Sequence, residues 1–97
     1  MDIMNELYGF QWDTANTEKN WIKHQVSPVE CEEVFFNEPV LLYDDDKHSQ
    51  NESRHYVLGK TNNDRKLFIV FTVRNNLIRV ISARDMSKRE RNIYDKI

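Results

Sequence analysis

The chain of 97 residues, with a mass of 11.7 kDa, has the size of one domain, and we expect residues 1–97 to fold as a single unit. Hydrophobic residues make up 39% of the chain and charged residues 31%, with only two glycines and two prolines, which argues against a low-complexity or disordered chain. The single cysteine, Cys31, excludes an intramolecular disulfide, and no apolar run reaches the roughly 18 to 20 residues that span a bilayer, so we expect a cytoplasmic protein that does not enter a membrane.

The net charge of −2 conceals an uneven division between the two halves of the chain. Residues 1–50 contain eleven acidic residues against three lysines and carry −8, whereas residues 51–97 contain eleven basic against five acidic residues and carry +6. Such an asymmetry favours an anionic partner for the basic half. It is equally compatible with surface salt bridges through which the two halves neutralise each other, and charge alone leaves both interpretations open.

The chain begins with signals for a strand followed by two helices. Aromatic residues cluster over residues 7–12, which predicts a first strand, and Asp13 can then cap a helix over residues 14–24. The run Ser27-Pro28-Val29-Glu30 is a capping box with proline at the first helical position, so a second helix is predicted from there to about residue 37. The apolar face of that helix comprises Cys31, Val34 and Phe35.

Four strands are predicted next, at residues 40–43, 54–60, 66–74 and 77–83. The third contains the run Leu67-Phe68-Ile69-Val70-Phe71, which is apolar on both faces and is typical of the central strand of a sheet. Asn75 and Asn76 suit a two-residue hairpin that needs positive φ, and residues 61–65 suit a longer polar turn. The sheet is therefore predicted to be an antiparallel meander.

A second capping box, Ser87-Lys88-Arg89-Glu90, predicts a last helix that begins within two residues of Ser87. The residues expected to share one side of this helix are Met86, Glu90, Ile93 and Ile97. The order β-α-α-β-β-β-β-α describes a compact α+β domain, in which an antiparallel sheet carries two N-terminal helices and one C-terminal helix. The expected core comprises Phe68 or Ile69, Val70, Phe71, Val34 and Phe35.

Nucleophilic and metal chemistry find little support in the sequence. Cys31 lies on the apolar side of the second helix without a basic neighbour that would lower its pKa, which favours a core cysteine over a catalytic thiol. His48, His55 and the acidic residues 44–46 lack the spacing of a metal site, so we predict neither a metal nor a cofactor. The sequence also contains no glycine-rich phosphate loop and no paired-cysteine motif.

Basic residues gather around the start of the last helix. Arg84 precedes that helix, and Lys88 and Arg89 occupy its first turn, where the helix dipole disfavours cations. Cations beside free helix N–H groups suit a phosphate, whereas the alternative is that they pair with the acidic surface of the second helix. Arg79 adds a cation to the preceding strand, where a regular strand would place it on the same face as Leu77, Ile81 and Ala83.

The first helix supplies a second group of candidate residues. His24 can exchange protons near neutral pH, and Lys19 and Lys23 stand four residues apart where they can hold an anion. The alternative is a solvated helix face whose C-terminal histidine is favoured by the helix dipole.

Two separated motifs carry a resemblance to a known family. The first is Phe10-Gln11-Trp12-Asp13, followed by Glu18-Lys19-Asn20, Lys23-His24 and Val26-Ser27; the second is Ile78-Arg79-Val80-Ile81-Ser82-Ala83-Arg84, followed by Arg89-Glu90-Arg91 and Tyr94. In this order they resemble the BrnT toxin family, the toxin half of BrnT/BrnA type II toxin–antitoxin modules, over nearly the whole chain. Gln25 stands where such sequences often carry glycine.

The resemblance implies a compact RelE-like ribonuclease fold, with two helices packed on an antiparallel sheet. It also implies a BrnA-like antitoxin that carries a ribbon-helix-helix DNA-binding domain. Toxin and antitoxin would form a hetero-oligomer that contacts operator DNA indirectly, through the antitoxin.

Together, the residues and the resemblance predict a metal-independent endoribonuclease that cleaves RNA and inhibits translation and growth. In this hypothesis His24 transfers protons, and Arg79 and Arg84 stabilise the charge that develops at phosphorus. The RNA backbone would be held by Lys19, Lys23, Lys88 and Arg89. The alternative is a non-catalytic RNA-binding or co-repressor module that acts with its antitoxin.

Overall fold

A computed structural model describes residues 9–48 and 52–97 of the chain. Its strands are β1 (Gly9–Phe10), β2 (Leu41–Asp44), β3 (Arg54–Lys60), β4 (Lys66–Arg74) and β5 (Leu77–Asp85). Its helices are α1 (Thr14–His24), α2 (Pro28–Val34) and α3 (Lys88–Asp95), with a 3₁₀ turn at Asp46–His48. The predicted order of elements is confirmed, although residues 7 and 8 of the predicted first strand lie outside the described residues. Over the described ranges, none of the helices is long and apolar enough to cross a membrane.

The five strands form one sheet in the order β1-β5-β4-β3-β2. Strands β2 to β5 pair as the predicted antiparallel meander, and β4 is the central strand as predicted. The sheet is nevertheless mixed, because β1 lies parallel to β5, with Gly9 opposite Leu77. The Asn75-Asn76 turn between β4 and β5 has the expected positive φ values of 55° and 62°.

Side-chain caps define the beginning of each helix. The Asp13 carboxylate accepts the backbone N–H of Asn16 at 3.2 Å, and Ser27 and Ser87 each form the predicted capping box with the glutamate three residues later. Helix α1 ends in the left-handed conformation of Gln25, at φ 52°, which explains why a glycine suits this position. The predicted end of α2 at residue 37 is wrong because Phe35 and Phe36 already donate to carbonyls three residues back, which tightens the chain into a turn.

The main core lies between α2 and one face of the sheet. Phe71, Ile69 and Val34 are fully buried there, and Phe35 packs edge-to-face on Phe71 with ring centroids 5.3 Å apart. Gly59 allows this close approach, since a Cβ at that position would lie 2.5 Å from the Val34 side chain. The predicted core is confirmed for four residues, namely Val34, Phe35, Ile69 and Phe71.

Helix α3 covers part of the opposite sheet face, which we call the α3 face. Tyr94, 4% exposed, packs there with Leu58 and Met86, and its hydroxyl donates to the Pro39 carbonyl at 2.7 Å. The side chains of Ile93 and Ile97 are 42% and 73% exposed, so neither is the buried anchor of α3. The residue of α3 that packs inward is Tyr94, which directly follows Ile93. Val70 and Phe68 also lie on this partly covered face and are only half-buried, so the prediction that Val70 belongs to the core is wrong.

A β-bulge changes which side chains of β5 share a face. Phe71 pairs with Val80 and Val70 pairs with Ser82, so Ile81 is an extra residue without a direct partner on β4. Beyond the bulge the alternation is inverted, and Ala83 joins the main core. The expectation that Arg79 and Ala83 share a face is therefore wrong, because it assumed a regular strand.

Candidate nucleic-acid interface

The bulge in β5 places two of the predicted arginines on one face. In the register of β4 and β5, Arg79 lies opposite Thr72 and Arg84 lies opposite Phe68. Thr72 and Phe68 are four positions apart on β4, and both lie on the α3 face. In a regular strand, positions five residues apart would point to opposite faces. The two Cα atoms are separated by about 15 Å along the strand, so the pair spans more than one phosphate.

Arg84 lies on the α3 face near the end of β5. Its guanidinium lies 4.1 Å from the centroid of the Phe68 ring, and its two terminal nitrogens donate to the Glu90 carboxylate at 2.8 and 2.9 Å. Hydrogen bonds from Arg84 and from the Ser87 backbone lower the pKa of Glu90 despite its partial burial. The ionic partner of Arg84 is therefore on α3, and the alternative that it pairs with the second helix is wrong for this residue.

Arg79 is held at the other end of the same face. Its guanidinium donates to the Asp13 carboxylate at 3.2 Å, which joins β5 to the first turn of α1. The Asn16 backbone N–H, followed by Arg79, lowers the pKa of Asp13. Arg79 thus has a structural partner, and an incoming phosphate would compete with a carboxylate for it.

The four residues predicted to hold the RNA backbone are all exposed. Lys88 and Arg89 lie in the first turn of α3, and Lys19 and Lys23 lie on α1. None of them forms an ion pair within residues 9–48 and 52–97. Their charge is therefore available to an external anion. Arg89 adjoins the α3 face, where it lines a groove, whereas α1 packs along β5, where Asn20 accepts the backbone N–H of Ala83.

His24 lies where the end of α1 meets Arg65 and Asp85. It is the last residue of α1, half-buried, and its carbonyl accepts a hydrogen bond from Arg65 at 2.9 Å. Its ring contributes to lowering the pKa of Asp85, after the larger effect of Arg65. The structure thus brings the two arginines to one face and leaves the predicted proton-transfer group near the adjoining edge of β5.

Arg65 is a residue that sequence reasoning missed. It donates to the Asp85 carboxylate at 2.7 and 3.1 Å, to Glu30 at 3.0 Å, and to the carbonyls of Gln25 and His24 at 2.8 and 2.9 Å. The hydrogen bond that Arg65 donates to the Asp85 carboxylate is the largest cause of the raised pKa of Arg65. Together with Arg79 and Asp13, this contact shows that the two oppositely charged halves do neutralise each other in part. Arg65 lies in a predicted polar turn, and no local signal distinguishes it.

The aromatic side chains of the α3 face were also missed. Tyr43 and Tyr56 stack with centroids 4.9 Å apart and planes 17° apart, and Tyr56 lies 5.3 Å from Phe68 at 32°. With Arg84 over Phe68, these rings form a continuous row across four strands, which we call the aromatic ladder. Only the pairing register could have revealed it, because the rings come from three separate strands.

A groove lies between the aromatic ladder and α3. Its volume is about 550 Å³, and it is lined by Tyr43, Asp45, Tyr56, Leu58, Phe68, Ser87, Arg89, Glu90 and Ile93. Two of the predicted residues therefore adjoin it, since Arg89 lines the groove and Arg84 closes the ladder over Phe68. His24 and Arg79 do not line it.

Cys31 and His55 both have structural surroundings. Cys31 is 2% exposed, and burial, followed by the nearby Glu30 and Glu32, raises the pKa of its thiol to about 12. It is the predicted core cysteine. His55 contacts the Asp44 carboxylate at 2.9 Å, and among the described residues no group of three or more His, Cys, Asp or Glu side chains could hold a metal ion.

Comparison with known proteins agrees with this architecture. A family model described as "Ribonuclease toxin, BrnT, of type II toxin-antitoxin system" matches residues 12–90. The 1.1 Å-resolution crystal structure of the Brucella abortus ribonuclease toxin, BrnT, aligns with a TM-score of 0.63 and 20% identity, covering 82% of this chain and 97% of that one. At that identity the likeness concerns the fold. No curated protein matches the chain.

Proposed function

The chain belongs to the BrnT family of ribonuclease toxins of type II toxin–antitoxin systems, and on that premise we propose that it is a metal-independent endoribonuclease that cleaves RNA and thereby inhibits translation and growth. The observation that carries this proposal is the position of Arg84. Its guanidinium lies 4.1 Å from the Phe68 ring at the end of the aromatic ladder, and it binds Glu90 in the same turn of α3 that carries the exposed Lys88 and Arg89. A polyanion with aromatic bases matches that combination.

Cleavage of RNA without a metal requires three contributions from side chains. A base removes the proton of the 2′-hydroxyl, whose oxygen attacks phosphorus; an acid protonates the departing 5′-oxygen as the P–O bond breaks; and cations stabilise the charge on the phosphoryl oxygens. In this proposal Arg84 stabilises that charge, and His24 transfers protons from the adjoining edge. Arg79 supplies a second cation on the same face, provided that the phosphate displaces Asp13.

The proposed RNA path runs along the α3 face and over its rim. Lys88 and Arg89 would contact phosphates on one side, and Lys19 and Lys23 on α1 would contact phosphates on the other. None of these four side chains forms an ion pair within the described part of the chain. An RNA phosphate can therefore contact them without displacing a carboxylate of the described residues.

We expect the antitoxin to be BrnA-like, with a ribbon-helix-helix domain that contacts operator DNA. A segment of it with acidic or hydrogen-bonding side chains would cover Arg79 and Arg84, because covering the cations is the direct way to exclude RNA. Protection of Arg84 from a guanidine-modifying reagent in the complex would support this arrangement.

RNA cleavage by the purified protein tests the proposal. Cleavage should persist in EDTA, should fall by at least about 100-fold in Arg84→Ala, and should fall in His24→Gln. The matched control is Lys96→Ala, which removes an exposed cation from the far end of α3. Each variant should be shown to fold by its thermal melting transition. An Arg84→Ala variant that folds and cleaves like the original chain would contradict the proposed role.

One observation favours the non-catalytic alternative. Both arginines of the α3 face already bind a carboxylate, Arg79 with Asp13 and Arg84 with Glu90, which neutralises them before any RNA arrives. A protein that represses its operon together with the antitoxin, but cleaves no RNA alone under conditions where a BrnT toxin does, would support the co-repressor function and contradict the ribonuclease.

A further inference from the structure

The groove beside the aromatic ladder leaves several large side chains only partly covered by α3. Tyr43, Tyr56 and Phe68 form one side and are only half-buried, although each carries a large ring. The α3 side contributes Arg89 and Ile93, which are exposed. The volume of about 550 Å³ lies within the range of small-ligand sites and is large enough for a nucleobase.

The charges around the groove favour a ligand with flanking negative charge. Arg89 lines it and the exposed Lys88 stands beside it in the same helical turn. Of the two carboxylates in the lining, Glu90 is neutralised by Arg84, and Asp45 is engaged in an interaction within the protein. An aromatic row bordered by unpaired cations is the arrangement that single-stranded nucleic-acid platforms use.

We propose that this groove receives an unpaired base of single-stranded RNA, which packs against the aromatic ladder while the adjacent phosphates contact Arg89 and Lys88. The inference rests on the proposed function, since it assigns the substrate conformation that the same face accepts. A base-paired duplex does not fit, because its bases are covered by their stacked neighbours and its minor groove presents only edges and hydroxyls.

The charges beside the rings favour a nucleotide over an apolar peptide in this groove. Tyr43 and Tyr56 stack at 4.9 Å and 17°, Tyr56 and Phe68 are tilted by 32° at 5.3 Å, and Arg84 covers the Phe68 ring, so neighbouring rings partly cover one another. A base would therefore pack on the parts of the half-buried rings that face the groove, while Arg89 lies close enough to contact its phosphate. A peptide segment of the antitoxin is the competing occupant, and the experiment distinguishes the two.

Binding of an RNA that cannot be cleaved separates this inference from the ribonuclease reaction. The probe is a short single-stranded RNA with 2′-O-methyl riboses and one fluorescent 2-aminopurine, whose emission falls when the base stacks. The variants are Tyr43→Leu with Tyr56→Leu, which keeps apolar volume and removes the rings, and Tyr43→Phe with Tyr56→Phe as the matched control. Thermal melting reports whether each variant folds. If the double leucine variant does not fold, the single Tyr43→Leu variant is tested in its place.

We expect the original chain to quench the probe and to bind it more tightly than the same sequence in a duplex. The leucine variants should bind about 5- to 100-fold more weakly and lose the quenching, whereas the phenylalanine variants should retain both. Quenching without cleavage of ordinary RNA would support the base site and contradict the proposed ribonuclease.

Two results would overturn the inference. In one, RNA is bound and cleaved equally well by the original chain and the leucine variants, which would leave the ribonuclease intact and remove the base site. In the other, the probe does not bind, but the antitoxin protects the groove tyrosines from iodination, which would assign the groove to the protein partner.

Discussion

The Glu90 carboxylate accepts both terminal nitrogens of Arg84, at 2.8 and 2.9 Å, while it also accepts the backbone N–H of Ser87 at 2.8 Å. One side chain therefore caps α3 and neutralises the Arg84 guanidinium. The cap and the ion pair depend on different properties of Glu90, since an amide oxygen can still accept the backbone N–H but carries no charge.

Glu90→Gln should raise the affinity for non-cleavable RNA by about 3- to 10-fold at low salt, because it frees Arg84 from a neutralising charge. The affinity is measured by fluorescence anisotropy. Glu52→Gln is the matched control, since it removes the carboxylate that pairs with Arg74 at 2.6 Å at the far end of β4. Equal effects in both variants would mean that net charge alone, rather than the freed Arg84, determines the affinity.

Arg65→Ala should lower the free energy of unfolding by about 2 to 3 kcal/mol, because five hydrogen bonds between α1, α2 and β5 end on this one side chain. Arg74→Ala should cost less than about 1 kcal/mol, since it breaks a single exposed ion pair. Urea denaturation measures both values. A cost for Arg65→Ala as small as that for Arg74→Ala would contradict the importance of this contact.

Stability should fall in acid through Asp85 and Glu30. Hydrogen bonding to Arg65 lowers the pKa of Asp85, and hydrogen bonds from Ser27 and Arg65 lower that of Glu30 against an opposing effect of burial. The folded state thus binds these protons more weakly than the unfolded state, so their stabilisation is complete above the ordinary pKa values of 3.8 and 4.5 and is lost as the pH falls through the lowered values. Unfolding measured from pH 6 downward should show this loss, and Arg65→Ala should show a shallower dependence.

Phe71→Ala should cost about 3 to 5 kcal/mol of stability, since Phe71 is fully buried against Phe35 and the His55 ring. Guanidinium denaturation measures the change. A loss below about 1 kcal/mol would mean that Phe71 is not buried against Phe35 and the His55 ring.

Cys31→Ala should leave growth arrest unchanged, whereas Arg84→Ala should abolish it. The thiol is buried and its pKa is raised to about 12, so thiol reagents at pH 8 should modify the folded chain far more slowly than the unfolded chain. Mass spectrometry follows the modification. Rapid labelling of the folded protein, or loss of arrest in Cys31→Ala alone, would contradict the cation-based model.

The local elements of this protein follow from its sequence, because their signals are local. Asp13, Ser27 and Ser87 accept backbone N–H groups three residues ahead, and Asn75 and Asn76 tolerate positive φ, so helix starts and the hairpin were predictable. The fully apolar run of β4 likewise predicted the central strand. The inner side of α3 was not predictable in the same way, because Tyr94 and Ile93 are both apolar neighbours and only the packing partner selects between them.

The candidate site was decided by tertiary structure. Arg79 and Arg84 share a face only because Ile81 is an extra residue opposite β4, and a bulge depends on the partner strand rather than on the bulged sequence alone. The aromatic ladder likewise joins Tyr43, Tyr56 and Phe68 from three strands whose register is determined by pairing. The sequence by itself determined which residue types could bind RNA; the long-range pairing of strands determined which of them meet, because side-chain direction in a sheet reverses with every single-residue shift.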